Sequence, residues 1–253
     1  MATSLQPVNL SRSPRYREVA YAAIKDAILR GQLEPNQPLV EEQLATLLNI
    51  SRTPVREALA ILEHEGLIGA RNGRGLYICT VTREQFVEMF VANEAVEPFL
   101  VRRAAQHARD EQFAELAATL EQAEASVAAH DVVGFLRASR TFHRLIGVAA
   151  GNAALTDLVV RNEERTDMYL LSTGQAVQPT MMEASNREHA AILRALQRRD
   201  PEAAARLTIY HAQSLRVRLG ELFSEHLDGR VVIADWACRY DRSGGQPDAV
   251  DSR

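Results

Sequence analysis

Apolar residues in the first third of the chain fall on short helical stripes separated by turn signals. Between residues 16 and 28 they recur three and four positions apart, which predicts an amphipathic helix that stops near Gly31. Prolines and an asparagine predict a loop over residues 33–38. A short second helix is predicted from about Glu41 to Leu48, and a third from about Ser51 to His64. The first third therefore predicts three helices in close succession.

The pattern changes after the third helix. Residues 67–71 and 76–81 predict two short strands, and the residues between them supply the glycines of a tight hairpin. Three helices followed by a two-stranded hairpin are the layout of a winged helix-turn-helix domain, which we place at residues 14–81. Residues 1–13 are polar and without a period, so they predict a flexible tail.

From residue 82 onward the chain is almost entirely helix-forming. Helix breakers near positions 110, 131, 151, 174–179 and 200 divide this part into six predicted helices, and it contains no strand pattern. We therefore predict an all-α antiparallel helical bundle over residues 82–228. Residues 229–253 predict a mostly flexible C-terminal tail. The whole chain is expected to be mainly α, with two domains of different architecture.

Several predicted bundle helices carry polar residues on their apolar stripe. The inward positions include Asn93, Glu97, Ser139, His143, Asn162, Thr166, Tyr169, Ser185, His189, Thr208 and His211. Three of these residues are histidines, and each belongs to a different helix. His189 and His211 both lie about 11 residues from the turn at Asp200-Pro201, which is roughly 16 Å along each helix. This equal spacing predicts that they lie side by side, whereas spacing alone does not place His143.

Three inward histidines favour a binding site over a set of ordinary core residues. Imidazole is a common ligand of zinc and nickel, and three histidines with solvent form an open metal site. The alternative is an anion or carboxylate pocket in which the histidines donate hydrogen bonds. A single inward histidine would instead be interpreted as a core residue bonded to a neighbour. Both binding interpretations remain open at this point.

Composition narrows the class of protein. With 46% hydrophobic and 25% charged residues, the chain is typical of a folded soluble protein, which excludes disorder over its whole length. No stretch reaches about 18 uninterrupted apolar residues, so no membrane span is expected. The N-terminus lacks a signal-peptide pattern, so we expect a cytoplasmic protein. Cys79 and Cys238 are too few for a disulfide framework or a zinc finger.

Charge is unevenly placed, although the net charge is only −4. The acidic excess belongs to the predicted bundle, while the nearly balanced N-terminal third has arginines where a helix-turn-helix domain meets DNA. An arginine that grips guanine with two hydrogen bonds contributes about 1–3 kcal/mol of discrimination between bases. The predicted DNA-binding residues are Ser51, Arg52, Thr53 and Arg56 on the third helix and Gly73, Arg74 and Gly75 in the hairpin loop.

The N-terminal domain resembles the DNA-binding domain of the GntR family of bacterial transcription regulators. The resemblance is carried by the runs ILRGQLEP at 28–35, SRTPVREAL at 51–59 and LEHEGLI at 62–68. It implies that Arg52 and Arg56 read DNA and that Thr53 and the hairpin loop assist. Two departures are visible. Asn36 stands where the family usually has glycine, which requires a left-handed turn. Glu42 stands where some members have a DNA-contacting arginine, so that contact is not carried over.

The predicted bundle is similar to the FCD effector domain of the FadR subfamily of these regulators. The shared residues are FHRL at 142–145, Gly151-Asn152, EHAAI at 188–192, Asp200 and His211. Many such domains hold a divalent metal with an aspartate and three histidines. The resemblance therefore implies that His143, His189 and His211 bind a metal and that a small carboxylate effector binds beside it.

Two residues depart from the effector-domain pattern. Ser139 stands where the aspartate belongs, four residues before the first histidine, and a neutral hydroxyl is a poor metal ligand. Asn93 stands where many relatives have an arginine that clamps the carboxylate, and Arg140, Arg165 and Tyr169 are candidate substitutes. The predicted effector-pocket residues are Asn93, Glu97, Ser139, Asn162, Arg165 and Tyr169.

These features together predict a ligand-responsive bacterial transcription regulator and not an enzyme. We expect it to bind a palindromic operator as a homodimer, because two recognition helices must meet two half-sites. Its effector would be a small metabolite, most simply a carboxylate held through a divalent metal such as zinc or nickel. Two alternatives stay open, a metal-free sensor of a non-carboxylate ligand and a metal-dependent enzyme. The enzyme is the weaker alternative, because no general base stands at a fixed spacing.

Overall fold

The computed structural model describes residues 14–33, 36–70, 75–172 and 177–220. The N-terminal part contains α1 (Pro14–Leu29), β1 (Pro38–Leu39), α2 (Glu41–Leu48), α3 (Arg52–His64), β2 (Ile68–Ala70) and β3 (Leu76–Ile78). The C-terminal part contains α4 (Arg83–His107), α5 (Asp110–Ala128), α6 (Val132–Ala150), α7 (Ala153–Ser172), α8 (Pro179–Gln197) and α9 (Pro201–Arg218). The described residues thus form a winged helix-turn-helix domain followed by a helical bundle, which confirms the predicted fold class.

Some sequence predictions fall on residues that the structure does not describe. They are the two flexible tails, predicted at 1–13 and 229–253, and the hairpin-loop residues Gly73 and Arg74. These assignments remain predictions.

The wing has one strand more than the sequence predicts. Its sheet is antiparallel with the order β1-β3-β2, so β3 pairs with both neighbours. The sequence predicts only the β2–β3 hairpin, because a two-residue strand is too short to show an alternating pattern. Pro38 of β1 faces Tyr77 of β3, and Asn36 just before it has a φ of 64°. The left-handed turn expected of Asn36 is therefore present.

The winged domain buries the apolar stripes of its helices in one core. This core includes Ile24, Val55, Leu59, Leu62 and Ile68. Asn49 ends α2 in the left-handed conformation, with a φ of 52°, and its backbone N–H bonds back to the last turn of the helix. This sharp end lets α3 begin three residues later at Arg52. In the first turn of α3, Arg52 is exposed, whereas Val55 is buried in the core.

The bundle helices begin at signals that the sequence carries. Thr82 caps α4 in a capping box with Gln85. Asp200 caps α9, its carboxylate accepting a hydrogen bond from the backbone N–H of Ala203 at 2.9 Å, and Pro201 takes the first helical position. The antiparallel α8–α9 hairpin that the histidine spacing requires is therefore present.

A close approach between α6 and α7 helps to position the bundle interior. Gly147 of α6 is buried, and a Cβ at this position would lie 2.4 Å from the Thr156 hydroxyl oxygen of α7. Any side chain larger than hydrogen would push the two helices apart. α6 and α7 also pack on an apolar core that includes Leu100, Phe142, Ile192 and Leu196. Among the described residues, no helix has both the length and the apolar character that a membrane span requires.

Candidate functional site

Three histidines from different helices meet inside the bundle. His143 of α6, His189 of α8 and His211 of α9 are 7%, 1% and 6% exposed. The Nε2 atom of His189 lies 3.2 Å from Nε2 of His143 and 3.2 Å from Nε2 of His211. The α8–α9 hairpin brings His189 and His211 to one level, as their spacing predicts. His143 joins them because α6 also packs against α8.

Carboxylates behind two of the imidazoles orient them. His143 Nδ1 lies 3.3 Å from Glu97 Oε2, and His211 Nδ1 lies 2.6 Å from Glu188 Oε2. Burial opposes ionisation of Glu188, but hydrogen bonds from Arg218 and others outweigh it and lower its pKa to about 2. Because an ionised carboxylate only accepts hydrogen bonds, His211 donates from Nδ1 and leaves Nε2 unprotonated. Such carboxylate–imidazole pairs are typical of metal-binding histidines.

Burial and neighbouring charges give the imidazoles different protonation states. Burial alone lowers the pKa of His143, but nearby carboxylates, Glu163 foremost, outweigh it and raise this pKa to about 10. Burial lowers the pKa of His189, and any positive charge on His211 or His143 lowers it further. Burial also lowers the pKa of His211, despite its hydrogen bond to Glu188. At neutral pH His189 and His211 are neutral, and each can offer a lone pair.

The donor atoms suit a divalent metal. Two ligands held tetrahedrally on one zinc ion lie about 3.4 Å apart. The Nε2 atom of His189 lies 3.2 Å from each of the other two Nε2 atoms, which is close to this spacing. His143 also belongs to a second group of possible ligands, with Glu97 and Glu163. The residues present are therefore compatible with the metal that the family resemblance implies.

A cavity of about 120 Å³ opens beside the histidines. Its apolar wall includes Phe86, Phe90, Phe135, Leu136, Leu170 and Leu215. Its polar wall includes Asn93, Glu94, Glu97, Ser139, Arg140, His143, Glu163, Thr166, Asp167, Ser185 and His211. Two of the three histidines therefore face a space that a small molecule could share with a bound metal.

The cavity contains half of the predicted effector-pocket residues. Asn93, Glu97 and Ser139 line it. The other three residues, Asn162, Arg165 and Tyr169, are not among the residues that line it. The reason is the rotation of α7, which faces the cavity with residues 163, 166, 167 and 170. The predicted stripe through 162, 166 and 169 shares only one position with that face.

These three residues have other surroundings. The Asn162 side-chain amide donates to Asn93 Oδ1 at 2.8 Å and so holds Asn93 in place behind the cavity wall. The Tyr169 ring stacks on Phe86 with 4.8 Å between centroids. Arg165 lies close enough to Cys79 of the winged domain to influence its thiol pKa, which burial raises. Arg165 is therefore near the winged domain and is not a lining residue of the effector cavity.

Sequence reasoning missed three acidic residues on the cavity wall, Glu94 of α4 and the pair Glu163 and Asp167 of α7. Glu163 and Asp167 lie one turn apart on α7, and Asp167 is ion-paired with Arg140 of α6. Their spacing of four residues was the available signal, because it puts both side chains on one helix face. Acidic residues in a charged run are usually solvated, so no local signal indicates that this face turns inward.

The arginines at the start of α3 are exposed. Arg52 and Arg56 have 58% and 65% of their side-chain surface accessible, and both pair with Glu41 of α2. The Nε atom of Arg56 lies 3.0 Å from Glu41 Oε1. Exposed pairs of this kind contribute little to stability, so the guanidinium groups can exchange Glu41 for another partner. Ser51 is the N-cap residue of α3, without a side-chain capping bond, and Thr53 is half-buried.

The hairpin loop and α2 complete this surface where the structure describes them. Gly75 has a φ of 98°, a conformation that favours glycine. Glu42, at the position where some relatives have a DNA-contacting arginine, is exposed. The described part of the surface is therefore compatible with the predicted recognition helix and adds no further basic residue from α2.

Helix α7 joins the bundle to the winged domain. The Lys25 Nζ atom of α1 lies 2.8 Å from Glu164 Oε1 and 2.9 Å from Glu65 Oε2. Burial disfavours the charge of Lys25, but Glu164 outweighs this effect and raises its pKa. Met168 of α7 is 8% exposed and packs in the core of the winged domain. α7 thus carries Glu163 toward the cavity and Glu164 and Met168 toward the winged domain.

The fold and the exposed recognition helix define a DNA-binding regulator of the helix-turn-helix type. Residues 16–78 match the bacterial regulatory proteins of the gntR family, and residues 88–214 match the FCD domain. The chain belongs to the GntR family of bacterial regulatory proteins and carries an FCD domain. Because this family consists of regulatory proteins, the prediction of a regulator and not an enzyme is confirmed.

Individual relatives agree with this assignment, and solved structures share the fold. The chain is 27% identical over 223 residues to the HTH-type transcriptional repressor RspR of Escherichia coli strain K12, covering 88% of this chain and 93% of that protein. Its fold is similar to that of E. coli McbR/YncC, with a TM-score of 0.71 at 21% identity over 83% of this chain and 98% of that one. It is also similar to a GntR regulator from Rhodococcus sp. RHA1, with a TM-score of 0.67 at 23% identity, covering 82% and 99% of the two chains.

Proposed function

We propose that this chain is a ligand-responsive transcription regulator of the FadR subfamily that binds palindromic operator DNA as a homodimer. One observation carries the proposal. Helix α7 lines the cavity with Glu163 and places Met168 in the core of the winged domain. A ligand that shifts α7 therefore acts on both domains at once.

The DNA-reading step is assigned to the start of α3. Arg52 and Arg56 are exposed and stand in the part of a recognition helix that enters the major groove. An arginine there can donate two hydrogen bonds to guanine. A second copy of the chain would supply the matching α3 for the other half of a palindrome.

The sensing step is assigned to the cavity and the histidines. We propose that His143, His189 and His211 hold a divalent metal, zinc or nickel, and that the effector is a small carboxylate. Arg140 lines the cavity but is paired with Asp167, and no other arginine or lysine lines it among the described residues. A divalent metal on the histidines would supply positive charge for a carboxylate, which is the charge stabilisation that a bound metal provides.

A second candidate is a metal-free sensor of a non-carboxylate ligand. Two observations favour it. Ser139 contributes no anionic ligand, and the carboxylates that raise the pKa of His143 give this imidazole a proton that a metal would have to displace. In that case Asn93 and Ser139 would select the ligand by hydrogen bonds from the cavity wall.

The DNA-reading assignment is tested by selecting sequences from a random duplex pool with the full-length protein. We expect an inverted repeat. The Arg56→Ala variant should lose about 1–3 kcal/mol of discrimination between the selected site and a scrambled site, which is roughly 5- to 150-fold in relative affinity. Fluorescence anisotropy at fixed salt measures both affinities.

The matched control is Arg187→Ala. Arg187 lies on α8 of the helical bundle, is 73% exposed, and carries the same charge. Its loss should leave discrimination unchanged. Full discrimination by Arg56→Ala, or an equal loss in the Arg187→Ala control, would contradict the assignment.

A further inference from the structure

The proposed metal site has three imidazoles but no anionic ligand from α6. Ser139 lies one turn before His143 and faces the same cavity. Its neutral hydroxyl offers a divalent cation no compensating charge. A buried cation is costly unless charged groups pair with it. Another carboxylate on the cavity wall is therefore the first place to look for the missing ligand.

Three nearby carboxylates are already committed to other partners. Glu97 faces Nδ1 of His143 at 3.3 Å, on the side of the ring away from Nε2. Glu188 is held by His211 and Arg218. The third carboxylate, that of Asp167, pairs with Arg140. Each of these groups supports or neutralises a neighbour.

Glu163 differs from these three carboxylates and from Glu94, which pairs with Arg216. Its Oε1 atom lies 3.6 Å from His143 Nε2, the same nitrogen that lies 3.2 Å from His189 Nε2. Its Oε2 atom is buried and has no hydrogen-bond partner among the described residues. A buried carboxylate oxygen without a donor is costly, and such an atom calls for an explanation. Glu163 lies at ligand spacing from His143 but not from all three histidines at once, so a cation shared by these four residues would draw the Glu163 carboxylate toward the imidazoles and give its Oε2 atom a partner.

We infer that Glu163 is the fourth protein ligand of the metal and replaces the carboxylate that Ser139 does not provide. The inference rests on the proposed metal site. Carboxylate oxygen is an ordinary zinc ligand beside imidazole nitrogen. The ligands then come from α6, α7, α8 and α9.

This change of ligand has a consequence for regulation. A carboxylate at position 139 would tie the metal to α6 twice, through residues 139 and 143. Glu163 instead ties the metal to α7, and the next residue, Glu164, pairs with Lys25 of the winged domain. Metal occupancy would therefore act directly on the helix that contacts the DNA-binding domain.

The inference is tested by titrating zinc into the full-length protein against a chromophoric chelator. Glu163→Gln should lower zinc affinity at least 10- to 100-fold, the range seen when a group that only supports a ligand is lost. The matched control is Glu94→Gln, which removes the same charge from the same cavity wall. Glu94 pairs with Arg216, so its loss should change zinc affinity by no more than a few-fold.

A second variant separates a ligand from a structural role. Ser139→Asp in the Glu163→Gln background puts a carboxylate at the α6 position and should restore most of the lost affinity. Loss of affinity from damaged packing would not be rescued in this way. Thermal unfolding of each metal-free variant shows whether the fold is kept.

The outcomes distinguish this inference from the proposed function. Wild-type affinity in Glu163→Gln, or equal losses in Glu163→Gln and Glu94→Gln, overturns the role of Glu163 and leaves the three-histidine site standing. Absence of zinc binding by the wild-type protein contradicts the proposed metal site, and with it the inferred role of Glu163. Loss in Glu163→Gln with rescue by Ser139→Asp supports the inference.

Discussion

The arginines at the start of α3 and the histidines of the bundle differ in how much of the fold each group needs. Arg52 and Arg56 lie four residues apart on one helix, are largely exposed, and touch one neighbouring carboxylate. The histidines come from α6, α8 and α9 and are buried. A short stretch of sequence therefore builds the first group, whereas the second requires the packing of the whole bundle.

This difference bears on how each site can change. An exposed arginine can be replaced at little cost to stability, because surface substitutions usually cost less than about 0.5 kcal/mol. A buried histidine cannot be replaced so freely, since its hydrogen-bonded neighbours would lose their partner. Residues of the DNA-facing surface can thus change without loss of the fold, whereas changes in the sensing site also affect the stability of the fold.

The largest expected effect is a difference between the two regions in how much a substitution lowers the free energy of unfolding. Phe142 is fully buried and stacks on the His189 ring with 4.8 Å between centroids. Phe142→Ala should lower the free energy of unfolding by about 3–5 kcal/mol, because it removes core packing and leaves a cavity. Urea unfolding of the metal-free protein measures this loss.

Arg56→Ala is the comparison for that experiment and should change the free energy of unfolding by less than about 0.5 kcal/mol. For DNA discrimination, measured on folded protein, the order of the two variants should be reversed. Arg56→Ala should lose discrimination and Phe142→Ala should keep it. Similar stability losses in both variants would show that the start of α3 depends on packing as much as the bundle interior does.

A smaller effect is expected where the two regions meet. Glu164→Gln removes the charge that α7 presents to Lys25 and keeps a side chain of the same shape. We expect it to reduce the fold-change in DNA affinity that zinc produces, within a total coupling of about 1–3 kcal/mol. The measurement is the ratio of DNA dissociation constants with zinc and with chelator.

Arg137→Gln is the control for this coupling experiment. Arg137 of α6 pairs with Asp26 of α1, so it also joins the two domains, but both side chains are nearly half exposed. Such a pair is worth little. A loss of zinc response in Arg137→Gln that equals or exceeds the loss in Glu164→Gln would place the coupling outside α7.

Local sequence signals predicted most of the fold. The α2 and α3 ends, the six bundle helices and the Asp200-Pro201 turn all follow from stripes, caps and breakers within a few residues. The same turn predicted the pairing of His189 and His211. β1 was missed because its two residues gain strand character only by pairing with β3, far along the chain.

The candidate site was harder to predict because it depends on helix rotation. α7 is buried on more than one side, so its apolar stripe does not show which side faces the cavity. Asn162 and Tyr169 consequently lie beside the cavity wall. Glu163 and Asp167 line the cavity where Asn162 and Tyr169 were expected. His143 could not be placed because its helix is not next to α8 in sequence.

The central claim is that the buried histidines form a metal site and are not ordinary core residues. The most direct test is the metal content of full-length protein purified without a chelator or a histidine tag, measured by plasma mass spectrometry. We expect nearly one divalent metal per chain in the wild-type protein and almost none in the His143→Ala, His189→Ala double variant. The same metal content in both proteins, or no metal in the wild-type protein after zinc and nickel have been supplied, would contradict the claim.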